Sequence, residues 1–410
     1  MSCLANISQV AETLKQKSNS RGLKLEPISV NKLDAKFREG ILARMEGEDL
    51  KRCLGCGTCS AGCLVREVDK NYNPRQIARR VLLGMKDYFK EKPEIPYSCN
   101  LCELCQKTCP YGVNIGELCL VLRELLVEAG IGPLPAHKVI NDDVEWALSP
   151  TFALSLPDPD AAKCKRAFFT GCNLPAYSPS LTMATYDYLR EKLPGTGIIL
   201  RCCGAPYHGL GEHSLFKETM GGLEHEMSKL GASELIVPCP DCYRTLKRAT
   251  PSFELKTLYE VLVEVGVPQL LQNGHATFSL HDSCTARWEA NFQDSVRELV
   301  KLSGHEIEEL PHSRELTLCC GQGGLILPLN PMRVFSLTKE RVAEAHFDML
   351  AYCAVCRETL SVHKPSLHVL DLLFNPNWEK DMRKPPNKPS VRKDNQSLLK
   401  SLLMERGRTA

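Results

Sequence analysis

Eight cysteines in two runs of identical spacing are the first residues able to do chemistry. They are Cys53-x-x-Cys56-x-x-Cys59-x-x-x-Cys63 and Cys99-x-x-Cys102-x-x-Cys105-x-x-x-Cys109, the second closed by Pro110. Each run offers three thiolates on one tight loop and a fourth a few residues on. A cubane [4Fe–4S] cluster needs four thiolates around a compact core, and one loop reaches it with only three. The fourth is then borrowed from the other run. The expected sets are Cys53, Cys56, Cys59 and Cys109 for one cubane, and Cys99, Cys102, Cys105 and Cys63 for the other. Zinc also takes thiolates at C-x-x-C spacing, but it would leave part of each run unemployed.

Ten further cysteines fall into two sets of five. The first is Cys172, Cys202-Cys203-Gly204 and Cys239-Pro240-Asp241-Cys242; the second is Cys284, Cys319-Cys320-Gly321 and Cys353-Ala354-Val355-Cys356. Five thiolates are one more than a cubane or a zinc site uses. Side chains of adjacent strand residues point to opposite faces, so a Cys-Cys pair needs a turn to aim both inward. The following glycine permits that turn and a close approach of backbone to metal. Five converging thiolates imply a cluster more open than a cube.

The elements that must position these groups follow from periodicity. Apolar residues at helical spacing predict a helix over 31–46, with Leu33, Phe37, Ile41 and Leu42 on one face, and another over 115–129 with Leu118, Leu122 and Leu125. Asn73-Pro74 reads as a helix start, followed by Ile77, Val81, Leu82 and Met85. The two cysteine loops therefore sit between helices. Leu64 after Cys63, where a small β-rich ferredoxin has proline, agrees with an α-helical ferredoxin domain over 31–148, preceded by an N-terminal arm, 1–30. Residues 149–163 are polar and proline-rich and read as a linker.

Beyond the linker the chain repeats itself. The first copy, 164–272, predicts strand 166–170, helix 181–192, strand 197–200, helix 215–230 and strand 234–237. The second, 273–375, predicts strand 276–280, helix 292–302, strand 316–318, helix 333–344 and a short strand ending at Cys353. Even the trailing stretches Leu258-Tyr259-Glu260-Val261-Leu262 and Leu370-Asp371-Leu372-Leu373 correspond. Alternating strands and helices predict two α/β units with small parallel sheets. Every cysteine group is expected at a strand's carboxyl end, where open α/β sheets place their sites. Residues 376–410 are expected to be a basic, flexible tail with at most a short helix near 398–404.

The totals exclude several classes. Lysine plus arginine number 51 against 49 acidic residues, so charge gives no reason to expect nucleic acid. The 21 cysteines come as pairs and triplets suited to metals rather than as disulfide staples of a small secreted fold. The opening Met-Ser-Cys-Leu-Ala-Asn has neither a basic nor an apolar leader region, and no apolar run is long enough to span a bilayer. A cytoplasmic location is expected, with any membrane link running through a partner. No flavin or nicotinamide fingerprint is visible.

At these residues the chain resembles the heterodisulfide reductases. The Cys-Cys-Gly repeats resemble the catalytic subunit and its relatives, the iron–sulfur subunits of glycolate, lactate and glycerol-3-phosphate dehydrogenases. The N-terminal part resembles the small ferredoxin-like subunit, down to Pro74-Arg75-Gln76-Ile77-Ala78-Arg79-Arg80-Val81-Leu82-Leu83-Gly84. The chain thus resembles both subunits fused. The resemblance implies an oxidoreductase of anaerobic metabolism in which each complete five-cysteine set holds a noncubane [4Fe–4S] cluster, one or two in all. Two cubanes would feed them for reduction of a small disulfide or for electron transfer within a complex. It also implies partner subunits: a flavoprotein, hydrogenase, formate dehydrogenase or membrane cytochrome/quinone module. The alternative is an electron conduit from a flavin-dependent glycolate, lactate or glycerol-3-phosphate dehydrogenase to quinone.

Other residues are weaker candidates. His208, His213 and His281 flank the Cys-Cys-Gly groups and are read first as hydrogen-bonding residues and second as proton donors. Gly321-Gln322-Gly323-Gly324 lacks the Lys-Ser/Thr of a phosphate loop and reads as backbone that hugs a cluster. Three cysteines remain: Cys3, Cys119, expected as a small core residue, and Cys164, ranked behind Cys172 as a ligand.

Overall fold

A computed structural model describes residues 29–45, 49–161, 163–268 and 275–409. The expected N-terminal arm, with Cys3, lies almost wholly outside the described residues. The N-terminal region is helical. Its principal helices, Ala35–Arg44, Pro74–Leu82 and Ile115–Glu128, are capped by the side chains of Asp34, Asn73 and Asn114. Each cap accepts a backbone N–H that the first turn leaves without an intrahelical partner. Ile41, Ile77, Val81, Leu118 and Leu122 from the three helices form one core. The cysteine loops lead into the short helices Thr58–Ala61 and Leu104–Thr108. Gly55 and Gly57 in the first loop have φ of 66° and 96°, a turn that side-chain-bearing residues resist.

Two sheets follow. The first contains β1 (Leu154–Leu156), β2 (Arg166–Phe169), β3 (Thr196–Leu200), β4 (Glu234–Val237) and β5 (Glu254–Thr257), in the order β1-β3-β2-β4-β5. The second contains β6 (Thr277–His281), β7 (Glu306–Glu309), β8 (Met349–Ala351) and β9 (Ser366–His368), in the order β7-β6-β8-β9. Every pair is parallel except β1 on β3. The central strands are apolar runs because helices cover both faces of a parallel sheet; Phe168, Phe169, Ile198, Ile199, Leu235 and Ile236 are all fully buried. Register aligns the repeats residue by residue. Phe168 opposes Ile236 in the first sheet as Leu280 opposes Leu350 in the second.

Several stretches differ from the sequence expectation. The expected strand 316–318 is absent; Arg314–Leu316 is a 3-10 turn, with Arg314 at φ 51°. The strand is β7, Glu-Ile-Glu-Glu, whose charges are tolerated because it pairs on one side only. The Cys319-Cys320 pair therefore lies on a loop well past a strand end. Residues 149–163, expected as a linker, supply β1 and bury Phe152 in the first core. The sheets also gain β5 and β9, which lead into helices Leu258–Val265 and Val369–Phe374. Finally, the tail expected to be flexible forms a helix, Pro389–Thr409, that buries Leu399 and Leu403 against the first repeat.

Candidate metal centres

The two cysteine loops interlock through the packing of helices Thr58–Ala61 and Leu104–Thr108. Cys59 faces Cys53, Cys109 and Cys56; burial, opposed by a hydrogen bond from Ser60, lifts its pKa. Cys63 faces Cys102 and Cys99 instead, and burial pushes it up to about 12. Cys105 likewise faces Cys102 and Cys99. Cys63, Cys99, Cys102 and Cys105 together line one apolar cavity, closed by Tyr72, Ile115 and Cys319. The fourth thiol of each run has thus crossed to the other run. Among the described cysteines Cys56 alone is exposed.

The ten thiols of the repeats form one continuous series of interacting neighbours. It runs Cys172, Cys202, Cys203, Cys242, Cys239, then crosses to Cys353, Cys356, Cys320, Cys319 and Cys284. Cys239 and Cys353 join the two sets. Cys242, Cys284, Cys353 and Cys356 are held well above the ordinary thiol range, first by a neighbouring thiol and then by burial. Cys239 and Cys319 are held well below it by the thiols on either side of them. Such crowded buried thiols cannot all ionise unless a positively charged group lies among them. The donor set therefore suits metal: soft sulfur ligands select iron–sulfur clusters or zinc.

Charged and polar side chains outside the thiol sets hold the N-terminal region and the two repeats together. Arg123 is fully buried in the Ile115–Glu128 helix. It donates to Pro96 O and Cys99 O of its own region, to Gly209 O of the first repeat at 2.6 Å and to Gly324 O of the second at 3.1 Å. Arg287 reaches from the second repeat to Cys102 O, 2.9 Å, and Thr317 O, 2.8 Å. Asn100 Nδ2 donates to Cys319 Sγ at 3.2 Å. Gly323 and Gly324 lie against this same loop. A Cβ on Gly324 would meet Cys99 O at 1.9 Å, and one on Gly323 would meet Cys319 Sγ at 2.9 Å. The Gly-Gln-Gly-Gly stretch is thus the seat of a close domain contact. Arg123, Arg287 and Asn100 were missed in the sequence. Arg123, set directly after the apolar residues 118–122, is the one signal that could have pointed to a buried cation.

The remaining candidates fall as follows. Cys119 is fully buried, and its thiol lies beside Cys99 and 3.9 Å from Tyr72 Oη. Cys164 accepts the Asp158 N–H at 3.3 Å, away from the thiol series that holds Cys172. His208 packs on Phe216 and is pushed down to about 4 by burial and by Arg248. It lines, with His213, Arg244, Arg248, Trp288 and Cys284, a broad open cleft between the N-terminal region and both repeats. His281 is buried at the end of β6 and accepts a hydrogen bond from Arg341. Among the described residues no helix is long and apolar enough to cross a membrane.

Comparison with known families agrees with this arrangement. Residues 49–113 match the 4Fe-4S dicluster domain, and residues 166–247 and 278–361 each match the cysteine-rich domain. The molecule is an iron–sulfur protein that joins a helical dicluster domain to two cysteine-rich domains. It is 24% identical over 371 residues to a subunit of the dihydromethanophenazine:CoB–CoM heterodisulfide reductase of Methanosarcina mazei, covering 78% of this chain and 90% of that one. Over 112 residues it is 34% identical to a subunit of the H(2):CoB-CoM heterodisulfide,ferredoxin reductase of Methanothermobacter thermautotrophicus, covering 27% of this chain and 58% of that one. The glycolate oxidase iron-sulfur subunit of Escherichia coli is 21% identical over 354 residues, covering 73% and 86% respectively. The chain thus carries the 4Fe-4S dicluster domain and two cysteine-rich domains, and it is similar to subunits named as heterodisulfide reductases and to a glycolate oxidase iron-sulfur subunit.

Proposed function

We propose that this chain is the disulfide-reducing, electron-carrying subunit of a larger redox complex. The observation that carries the reading is the continuity of sulfur. It runs from solvent-exposed Cys56, through the cavity walled by Cys63, Cys99, Cys102 and Cys105, to Cys319 and the ten-thiol series. In this reading the eight N-terminal cysteines hold two cubane clusters and the two five-cysteine sets hold one or two noncubane clusters. When bound, these groups supply one-electron storage and, in the five-thiol sets, an open iron face. The working units are residues 31–148, 164–272 and 273–375.

The reaction is reduction of R–S–S–R′ by two electrons and two protons to RSH and R′SH. The protein's own contribution is access, charge and insulation. The cleft lined by Cys284, Arg244 and Arg248 admits a small disulfide to the edge of the thiol series. Electrons arrive at the opposite, exposed end. There Leu54 is 70% exposed, and the side chains of Arg75 and Arg79 lie over Gly57 and Gly55 of the cysteine loop. A basic rim around an apolar spot suits an acidic face on a flavoprotein or other redox partner, through which any membrane association would also run.

Anaerobic purification with iron and sulfide analysis, followed by disulfide turnover with a low-potential donor, tests this. Zinc without acid-labile sulfide overturns it. A second reading, an electron conduit for a flavin-dependent hydroxyacid dehydrogenase, draws on the similarity to the glycolate oxidase subunit. Failure to turn over any disulfide, with strict co-purification of a hydroxyacid-oxidising flavoprotein, favours it.

A further inference from the structure

We propose that the Nε2–H of His281 donates a hydrogen bond to sulfur at the second five-thiol site, and that this donor sets the second site at a higher reduction potential than the first. The inference rests on the reading that both sets hold iron–sulfur clusters.

A ring nitrogen of His281 and the sulfurs of Cys320 and Cys356 lie within 4.8 Å of one another, all buried. By residue type this is a nitrogen–sulfur metal site. Arg341 decides otherwise. Its Nε–H donates to His281 Nδ1 at 2.9 Å, and a guanidinium can only donate. The Nδ1 lone pair is therefore taken, and the neutral ring must carry its proton on Nε2. A metal-binding histidine has the reverse arrangement, with its second nitrogen donating to a carboxylate or carbonyl. Arg341 is held in place, fully buried and donating to His312 O at 2.9 Å and to Glu344. His281 Nε2 is buried with no partner among the described residues. A buried donor left unmade is costly. Electron-rich sulfur on iron held by Cys320 and Cys356 is the acceptor that the chemistry of this site would supply.

The first repeat has no counterpart. The shared register puts Phe169 at the end of β2 where His281 ends β6. A phenyl ring at that place offers no N–H. The two sites therefore present the same five thiols with different hydrogen bonding. A donor to sulfur favours the reduced, more negative state and raises the potential. The Asn100 amide on Cys319 acts in the same direction.

The test is an EPR-monitored redox titration of the full chain, purified without oxygen, with Cys284→Ser used to assign the second-site signal. His281→Phe is expected to shift that signal alone to lower potential, leaving ~tenfold less of it reduced at the wild-type midpoint. His281→Gln, which keeps an N–H, should recover much of the shift. Proton ENDOR on the wild type should show a coupling at the second site that vanishes in D₂O. The same coupling should be absent from His281→Phe. A directly bound nitrogen in the wild-type spectrum, or an unchanged midpoint in a fully iron-loaded His281→Phe, overturns the assignment alone. Iron missing from the five-thiol sets of the wild type overturns the cluster reading and the assignment together.

Discussion

The two repeats share a strand order and a thiol order, yet the chain closes them from different directions. The first is strapped by the C-terminal helix. Gln396 Nε2 donates to Cys172 O at 2.9 Å, Arg392 to Asn173 Oδ1 at 2.6 Å and Asn395 to Ala176 O at 3.0 Å. The second is closed by the dicluster domain, through Arg287 on Cys102 O and Asn100 on Cys319. A duplicated sheet can thus position equivalent ligands while segments outside the duplication decide what each set meets. One set lies against the second cysteine run; the other is capped by polypeptide and meets the first of these through Cys353 and Cys239.

The sharpest way to break this comparison is to remove a matched thiol from each side. Cys203→Ser and Cys320→Ser should each lose the iron of their own set and lower disulfide turnover by at least about 100-fold, since a ligand matters more than the outer-shell groups worth 10–100-fold. Their electron transfer should differ. Without Cys320 the first set should no longer fill from a donor at the dicluster end, whereas without Cys203 the second set should fill normally. Stopped-flow reduction read by EPR measures this, and first-set filling at the wild-type rate in Cys320→Ser would remove the proposed order.

Ending the chain after residue 388 should affect the first set only. The helix Pro389–Thr409 buries Leu399 and Leu403, and fully burying a leucine contributes about 1.5–3 kcal/mol. Its loss should lower stability by several kcal/mol on that measure and expose the Cys172 loop to oxygen. Iron analysis after brief exposure to air should find the first set depleted and the second intact.

On the other side, Gly324→Ala should loosen the second set from the dicluster domain. Gly324 has φ 64°, and an added Cβ would fall 1.9 Å from Cys99 O. Left-handed strain of about 1–2 kcal/mol and overpacking of about 1–3 kcal/mol both apply. Gly231→Ala in the first repeat is the control: φ is 71°, but among the described residues nothing lies within 4 Å of the added atom, so only the strain is expected. Equal denaturant midpoints for the two variants would mean that the interface yields freely.

Much of this was legible in the sequence. Cysteine spacing singled out Cys63, Cys99, Cys102 and Cys105, which line one cavity, because a loop of fixed length has few ways to present three sulfurs. The central strands were legible as apolar runs because both of their faces are covered. What was hidden obeyed other physics. The strand β7, Glu-Ile-Glu-Glu, pairs on one side and keeps its charges in solvent, so neither alternation nor hydrophobicity marks it. The tail's basic composition masked Leu399 and Leu403, one turn apart and enough to dock a helix. Arg123 and Arg287 act on carbonyls far away in sequence, which no local pattern records.

The smallest expected effect tests the two ends of the sulfur path rather than its two halves. Arg75 and Arg79 are exposed above the Cys53–Cys59 loop, and Arg244 and Arg248 lie at the cleft. If electrons arrive at the first end, Arg75→Glu with Arg79→Glu should slow reduction by an acidic protein donor several-fold at low salt. The deficit should shrink as ionic strength rises, because exposed charges more than a Debye length apart, roughly 8 Å at physiological salt, are screened. Stability should change by less than about 0.5 kcal/mol, as for surface substitutions generally. Dithionite, a small donor that needs no docking face, should reduce the variant as fast as the wild type. Equal slowing with dithionite and the protein donor would trace the defect to the cysteine loop itself and would remove the docking role.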